Sequence, residues 1–189
     1  MDDRFRRAGI EYRVSNPLAE GVSEPIEPAS VLRRRVEEYA ESIATAVGYR
    51  PGVPMADVVR RLGGRVTYLG LDEVSDAAGS IYVHAERDFD ILLPAYTPPT
   101  RDQFTIAHEL GHYFLHANHP RGFRPIIADR LGGGRLEWEA NWFAAGFLMP
   151  QAEFCEVADR LADDTGGLAA HFMVSFAAAD VRLKALRHG

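Results

Sequence analysis

The segment from Arg101 to Ala117 most constrains what this chain can fold into. It holds no proline, and Phe104, Ile106, Leu110, Phe114 and Leu115 give it apolar surface on more than one helical face. A helix of that kind is sandwiched in a core rather than laid on a surface. Pro98 and Pro99 stop whatever precedes it, Thr100 offers a side-chain oxygen as N-cap, and Gln103 completes a capping box. Yet His108, Glu109 and His112 lie in its middle, and titratable groups in a core need partners or a task. Two histidines four apart project from one face with Cβ atoms about 5–6 Å apart. Both imidazoles then reach one metal ion, since zinc–nitrogen bonds run about 2.0–2.1 Å.

Residues 108–112, His-Glu-Leu-Gly-His, are the HExxH pattern of zinc peptidases. Glu109 follows the first histidine and is placed to act on a water at the metal rather than to bind the metal itself. A catalytic zinc site needs a third protein ligand and an open fourth position. The metzincin spacing does not supply it: Leu115 stands where its glycine belongs, Asn118 where its third histidine belongs, and His119 comes one residue late. The better candidate is Glu137, in Glu137-Trp138-Glu139-Ala140-Asn141. Glu137 and Asn141 share a helical face, so Glu137 can reach the metal while Asn141 accepts a hydrogen bond from a ligand histidine. Such a bond fixes the tautomer that leaves the other ring nitrogen free. Glu139 points about 160° from that face and reads as a solvated carboxylate.

The run Thr105-Ile106-Ala107-His108-Glu109-Leu110-Gly111-His112, with Glu137-Trp138-Glu139-Ala140-Asn141-Trp142-Phe143-Ala144-Ala145-Gly146-Phe147-Leu148-Met149-Pro150 downstream, resembles the ImmA/IrrE family of gluzincin-like metallopeptidases. Two separate motifs occur in the family's order at a suitable distance, and the resemblance covers roughly residues 31–187. It implies His108, His112 and Glu137 as ligands of one Zn2+ per chain, with Glu109 as general base. It also implies a limited cut in a helix-turn-helix transcriptional repressor, made in response to stress or mobile-element signals. Phe147 stands where the family prefers leucine, a packing change away from the metal. Asn141 is usual for the family where thermolysin-like enzymes carry aspartate.

At 189 residues with 47% hydrophobic content, the chain suits one domain with a real core. The expected fold class is α+β: a small antiparallel sheet packed on the HExxH helix, with a mostly helical C-terminal part that ends like a helix-turn-helix. Residues 1–29 read as an N-terminal arm, 30–150 as the zinc metallopeptidase core and 151–189 as a helical segment packed on it. Ser30 caps a helix in which Leu32, Val36, Tyr39, Ile43 and Val47 keep helical spacing, and a short helix runs from Pro54 to Gly63-Gly64. Arg65 to Leu69 reads as a strand, and Gly79 to His84 with Phe89 to Leu93 as a hairpin. Gly79 to Val83 is either an interior strand or an edge to which a substrate strand adds.

No apolar run reaches membrane-spanning length, the N-terminus lacks a secretory pattern, and the lone Cys155 suits a reducing compartment. A cytoplasmic protein is expected. Its net charge of −6 argues against a surface that coats nucleic acid. Residues 1–64 hold only two short helical patterns, so a repressor substrate would be a separate chain.

Asn118 to Arg135, with Arg121, Arg124, Arg130 and Gly132-Gly133-Gly134, reads as a loop bordering the cleft. Trp138, Trp142, Phe143 and Phe147 read as core, and His116 as either a structural histidine or a support for a ligand. Tyr113, His116, Arg124 and His171 stand as possible oxyanion donors. Ser175 is a fair N-cap for the last helix. Arg182, Lys184 and Arg187 on that helix are offset by Asp163, Asp164 and Asp180, so packing is favoured and direct nucleic-acid binding is not expected. Replacing the three basic residues by serine should then leave cleavage and expression near normal. Two rival classes are a zinc-containing regulatory or antitoxin-like binding module with little turnover, and a DNA-binding regulator.

Overall fold

The computed structural model describes residues 32–70, 80–119, 122–123, 126–128 and 134–188. The expected arm over residues 1–29, Ser30, Gly79, Arg121, Arg124, Arg130 and Gly132-Gly133 lie outside these. In chain order the elements are α1 (Arg33–Ala46), α2 (Met55–Arg61), β1 (Gly64–Leu69), β2 (Ser80–Ala85), β3 (Asp88–Pro94) and α3 (Pro99–His112). A π-helical turn (Tyr113–Ala117) and three short strands follow: β4 (Asn118–His119), β5 (Gly122–Phe123) and β6 (Ile126–Ala128). Helices α4 (Arg135–Leu148), α5 (Gln151–Arg160), α6 (Thr165–Phe172) and α7 (Phe176–His188) complete the chain. The fold is α+β, as expected. Among the described residues no helix is long and apolar enough to cross a membrane.

The main sheet has the order β1-β3-β2-β6. Strands β2 and β3 form the expected antiparallel hairpin, but β1 runs parallel to β3, Gly64 opposite Phe89 and Leu69 opposite Pro94. The sheet is therefore mixed rather than antiparallel, because the connection from β1 crosses over before the hairpin begins. Strand β3 is central and buried from Phe89 to Leu93, as a strand covered on both faces must be. Its one charged residue there, Asp90, ties three strands together: it accepts from Arg65 Nε at 2.6 Å and pairs with His84 Nε2 at 2.9 Å. Burial alone would raise the Asp90 pKa, but hydrogen bonds and charge from Arg65 and His84 outweigh it and hold the group below its ordinary value.

Strand β2 is interior, since β6 pairs with it over Ile81 to Val83. A substrate strand added at those residues would have to displace β6. The stretch expected as a plain loop after α3 thus contains strands, β4 paired with β5 and β6 joined to the sheet.

Helix α4 makes its most extensive contacts with α1 and α3, and it lies between them through residues too small to hold the backbones apart. A Cβ on Gly111 of α3 would meet Ala140 Cα at 2.9 Å, and one on Gly146 of α4 would meet Glu37 O at 2.7 Å. Phe143 and Phe147, both fully buried, stack with centroids 5.9 Å apart along the middle of this sandwich. Trp142 is half-buried against the core, whereas Trp138 is 59% exposed and not the core residue its spacing suggested. The buried positions of α1 are Val36, Glu37, Ala40 and Ala44, a narrower face than the expected one, and Leu32 stands exposed. Helix α3 starts two residues earlier than expected, with Pro98 as N-cap, Pro99 at the first turn and no side-chain cap. Gln103 instead accepts from the Met55 backbone N–H at 3.0 Å, tying α2 to α3.

The C-terminal helices pack into the same core through Phe154, Leu168, Phe172, Val174 and Ala179. Ser175 Oγ accepts the Ala178 N–H at 3.2 Å, the cap expected for α7. Arg182 is not the dispensable residue expected, being only 1% exposed. It donates to Glu37 Oε2 at 2.6 Å and to Met149 O at 3.1 Å, so α7 is pinned to α1 and to the end of α4. Lys184 and Arg187 are held by Asp180, Asp159 and Asp163. The serine triple replacement is therefore not neutral. Arg182→Ser alone is expected to cost about 3 kcal/mol, because it leaves the buried Glu37 with only the partly exposed Arg33 as a charged partner. Lys184→Ser, on an exposed pair, should stay within about 0.5 kcal/mol. Chemical denaturation of the two variants checks both values, and equal stabilities would refute the assignment.

Candidate metal centre

Helical spacing puts His108 and His112 on one side of α3, and the close α3–α4 crossing at Gly111 and Ala140 brings the first turn of α4 against them. That turn carries Glu137, where the positive end of the helix dipole favours a carboxylate. His108 Nε2 and His112 Nε2 are 3.2 Å apart. Glu137 Oε2 lies 3.2 Å from the first, and Glu137 Oε1 3.4 Å from the second. One ligand atom from each of His108, His112 and Glu137 can thus meet at a common point, and these atoms all lie within 4.8 Å of one another.

The triangle fits zinc. Bonds of 2.0–2.1 Å to the corners of a tetrahedron put neighbouring ligand atoms about 3.3–3.4 Å apart, close to the separations above. The ring nitrogens facing the centre are also in the right state. His108 Nδ1 lies 3.0 Å from Asn141 Oδ1, which can only accept, so the proton sits on Nδ1 and the Nε2 lone pair faces inward. Burial lowers the His112 pKa and favours neutral imidazole, the form that binds metal. Burial would raise Glu137, but hydrogen bonds and charge from the two histidines prevail and hold it well below the carboxylate range.

The sequence placed His108, Glu109, His112, Glu137 and Asn141 in one site, and the structure brings the four groups His108, His112, Glu137 and Asn141 into contact. Glu109, next along the helix from His108, is 3% exposed and stands at the same level of α3.

Two residues were misjudged or left open. Glu139 is fully buried rather than solvated, and it engages His116 Nε2 at 3.2 Å and Arg135 Nε at 2.8 Å. Its angle from Glu137 follows helical geometry, but that side of α4 faces protein instead of water. His116, on the π-helical turn, lies with its Nδ1 3.0 Å from His112 Nδ1. Burial, then the charge of His112, lowers the His116 pKa to about 4. Of the possible oxyanion donors, Tyr113 accepts the Arg87 N–H at 3.0 Å, and His171 lies 3.5 Å from Glu153.

The sequence profile described as the IrrE N-terminal-like domain, a peptidase family, matches residues 60–184. No curated protein matches at a significant level. Among solved structures, a Mycobacterium tuberculosis transcriptional regulator superposes with a TM-score of 0.58 at 25% identity, over 80% of this chain and 46% of that one. This chain therefore spans less than half the length of that regulator.

Proposed function

From the premise that the chain belongs to the IrrE N-terminal-like peptidase family, we propose that it is a zinc-dependent metallo-endopeptidase that makes a limited cut in a helix-turn-helix transcriptional repressor. The observation that carries this reading is the convergence of His108 Nε2, His112 Nε2 and the Glu137 carboxylate: the two ring nitrogens are 3.2 Å apart, one carboxylate oxygen lies 3.2 Å from His108 and the other 3.4 Å from His112. Three electron-pair donors crowded this closely call for a shared cation, and two imidazoles with one carboxylate leave a fourth tetrahedral position open. When bound there, zinc supplies the Lewis acidity that activates water and polarises a peptide carbonyl.

The chain's own residues do the rest. Asn141 holds the His108 ring in the tautomer and orientation that ligation needs. The Glu109 carboxylate takes the proton of the attacking water and then hands it to the nitrogen of the leaving amine, the two-way proton transfer of a general acid–base group. A cytoplasmic setting belongs to the same reading, since a DNA-binding repressor is met there.

The repressor substrate is supported by family membership and by the likeness to a transcriptional regulator. Direct action on DNA is disfavoured by the C-terminal helix, whose Arg182 is buried and whose Lys184 and Arg187 are paired with carboxylates, leaving few cations for phosphates. Incubating the zinc-loaded protein with candidate helix-turn-helix repressors should yield, from the true substrate, two fragments from one cut, mapped by mass spectrometry. A repressor that binds yet stays whole would favour a binding module instead.

A further inference from the structure

We propose that His116 and Glu139 form a buried carboxylate–imidazole relay that positions His112 toward the metal, so that the two ligand histidines rest on unequal supports. The inference rests on the zinc reading above and extends it to residues that do not touch the metal.

Proton accounting along the contacts leads to it. Arg135 Nε donates to Glu139 Oε1 at 2.8 Å, which suits an ionised carboxylate that can only accept. Glu139 Oε2, 3.2 Å from His116 Nε2, must then accept from that nitrogen. A neutral imidazole with its proton on Nε2 has an acceptor at Nδ1. His112 Nδ1, 3.0 Å away, must therefore be the donor. The Nε2 lone pair of His112 is left pointing at Glu137 and His108, as ligation requires. Reversing the His112–His116 bond would put a proton on His112 Nε2, and that nitrogen could not bind a metal.

The two supports differ in kind. Asn141, which serves His108, is neutral and exposed, so water can take over part of its role. His116 and Glu139 have side chains with 0% exposure, so no water substitutes, and a full negative charge stands at the far end of the relay. A carboxylate behind a donating imidazole also increases the electron density that the ligand nitrogen offers. The π-helical turn over Tyr113–Ala117 carries His116 just past the second ligand, the kind of local widening often found at functional sites.

The test is a zinc titration against a chromogenic chelator, using the full chain and His116→Leu, His116→Gln, Glu139→Gln and His108→Ala variants. Thermal melts of each metal-free protein run beside it. Zinc affinity should fall about 10–100-fold in His116→Leu and Glu139→Gln, the range seen when partners of metal ligands are removed. His116→Gln, whose side-chain oxygen can still accept from His112, should recover most of that loss. The visible absorption of the cobalt-substituted protein should shift in His116→Leu and return toward wild type in His116→Gln, which a purely structural role would not produce. If His116→Leu does not fold, the volume-conserving Glu139→Gln decides. Wild-type zinc affinity in a folded Glu139→Gln, with affinity lost in His108→Ala, overturns the relay and keeps the zinc site. A wild-type chain that binds no zinc overturns the zinc reading itself.

Discussion

Glu109→Gln is expected to keep its zinc and its fold while peptide-bond hydrolysis falls by about 10²–10⁴-fold or more, the usual contribution of a positioned general acid–base group. The replacement conserves volume and leaves His108, His112 and Glu137 untouched, so the triangle of ligand atoms should persist. The variant lacks the one property the mechanism requires of residue 109, a carboxylate that accepts a proton from water and returns it to the leaving amine. The loss should fall on kcat more than on KM, because proton transfer is an interaction of the transition state. Single-turnover cleavage of the repressor, with metal content measured on the same sample, checks this. A variant that keeps zinc and full cleavage would remove Glu109 from the chemistry. One that keeps the whole biological effect without cleavage would replace the peptidase by a regulatory binding module.

The second large effect concerns the third ligand. Glu137→Ala should lose zinc more severely than the 10–100-fold expected from disturbing a residue behind a ligand, because it removes one of three protein donors. Glu139→Gln then serves as its internal control two residues away. The contrast also appears in stability. Zinc at about a thousand times its Kd should stabilise the wild type by about 4 kcal/mol. For a chain of this size that is a Tm increase of roughly 10 °C. Glu137→Ala should show little of it. Were Glu137→Ala to keep the full zinc-dependent increase while a Glu139 variant lost it, the roles assigned to these two carboxylates would be exchanged.

What the sequence by itself determined is local and helical. The spacing of His108 and His112, and that of Glu137 and Asn141, each follows from one turn of helix and holds wherever the helix goes. Each pair could therefore be grouped before any fold was known, and the resemblance to a peptidase family joined the two pairs into one site. The hairpin of β2 and β3, the Ser175 cap and the α+β class were legible for the same reason, since each is encoded by neighbours in the chain.

Tertiary structure decided the residues whose role depends on what lies opposite. Glu139 and Trp138 are adjacent on α4, yet the carboxylate is fully buried and the indole 59% exposed, the reverse of what polarity alone suggests. The cause is the position of the extended α3 segment, which supplies His116 as a partner for the charge. Arg182 is buried because Glu37, 145 positions earlier in the chain, meets it. No period within α7 signals such a partner. The parallel pairing of β1 and the covering of β2 by β6 likewise depend on crossovers between distant segments. Helical spacing states which side chains travel together, whereas the cost of burying a charge depends on the group that faces it, and only the assembled fold brings that group into place.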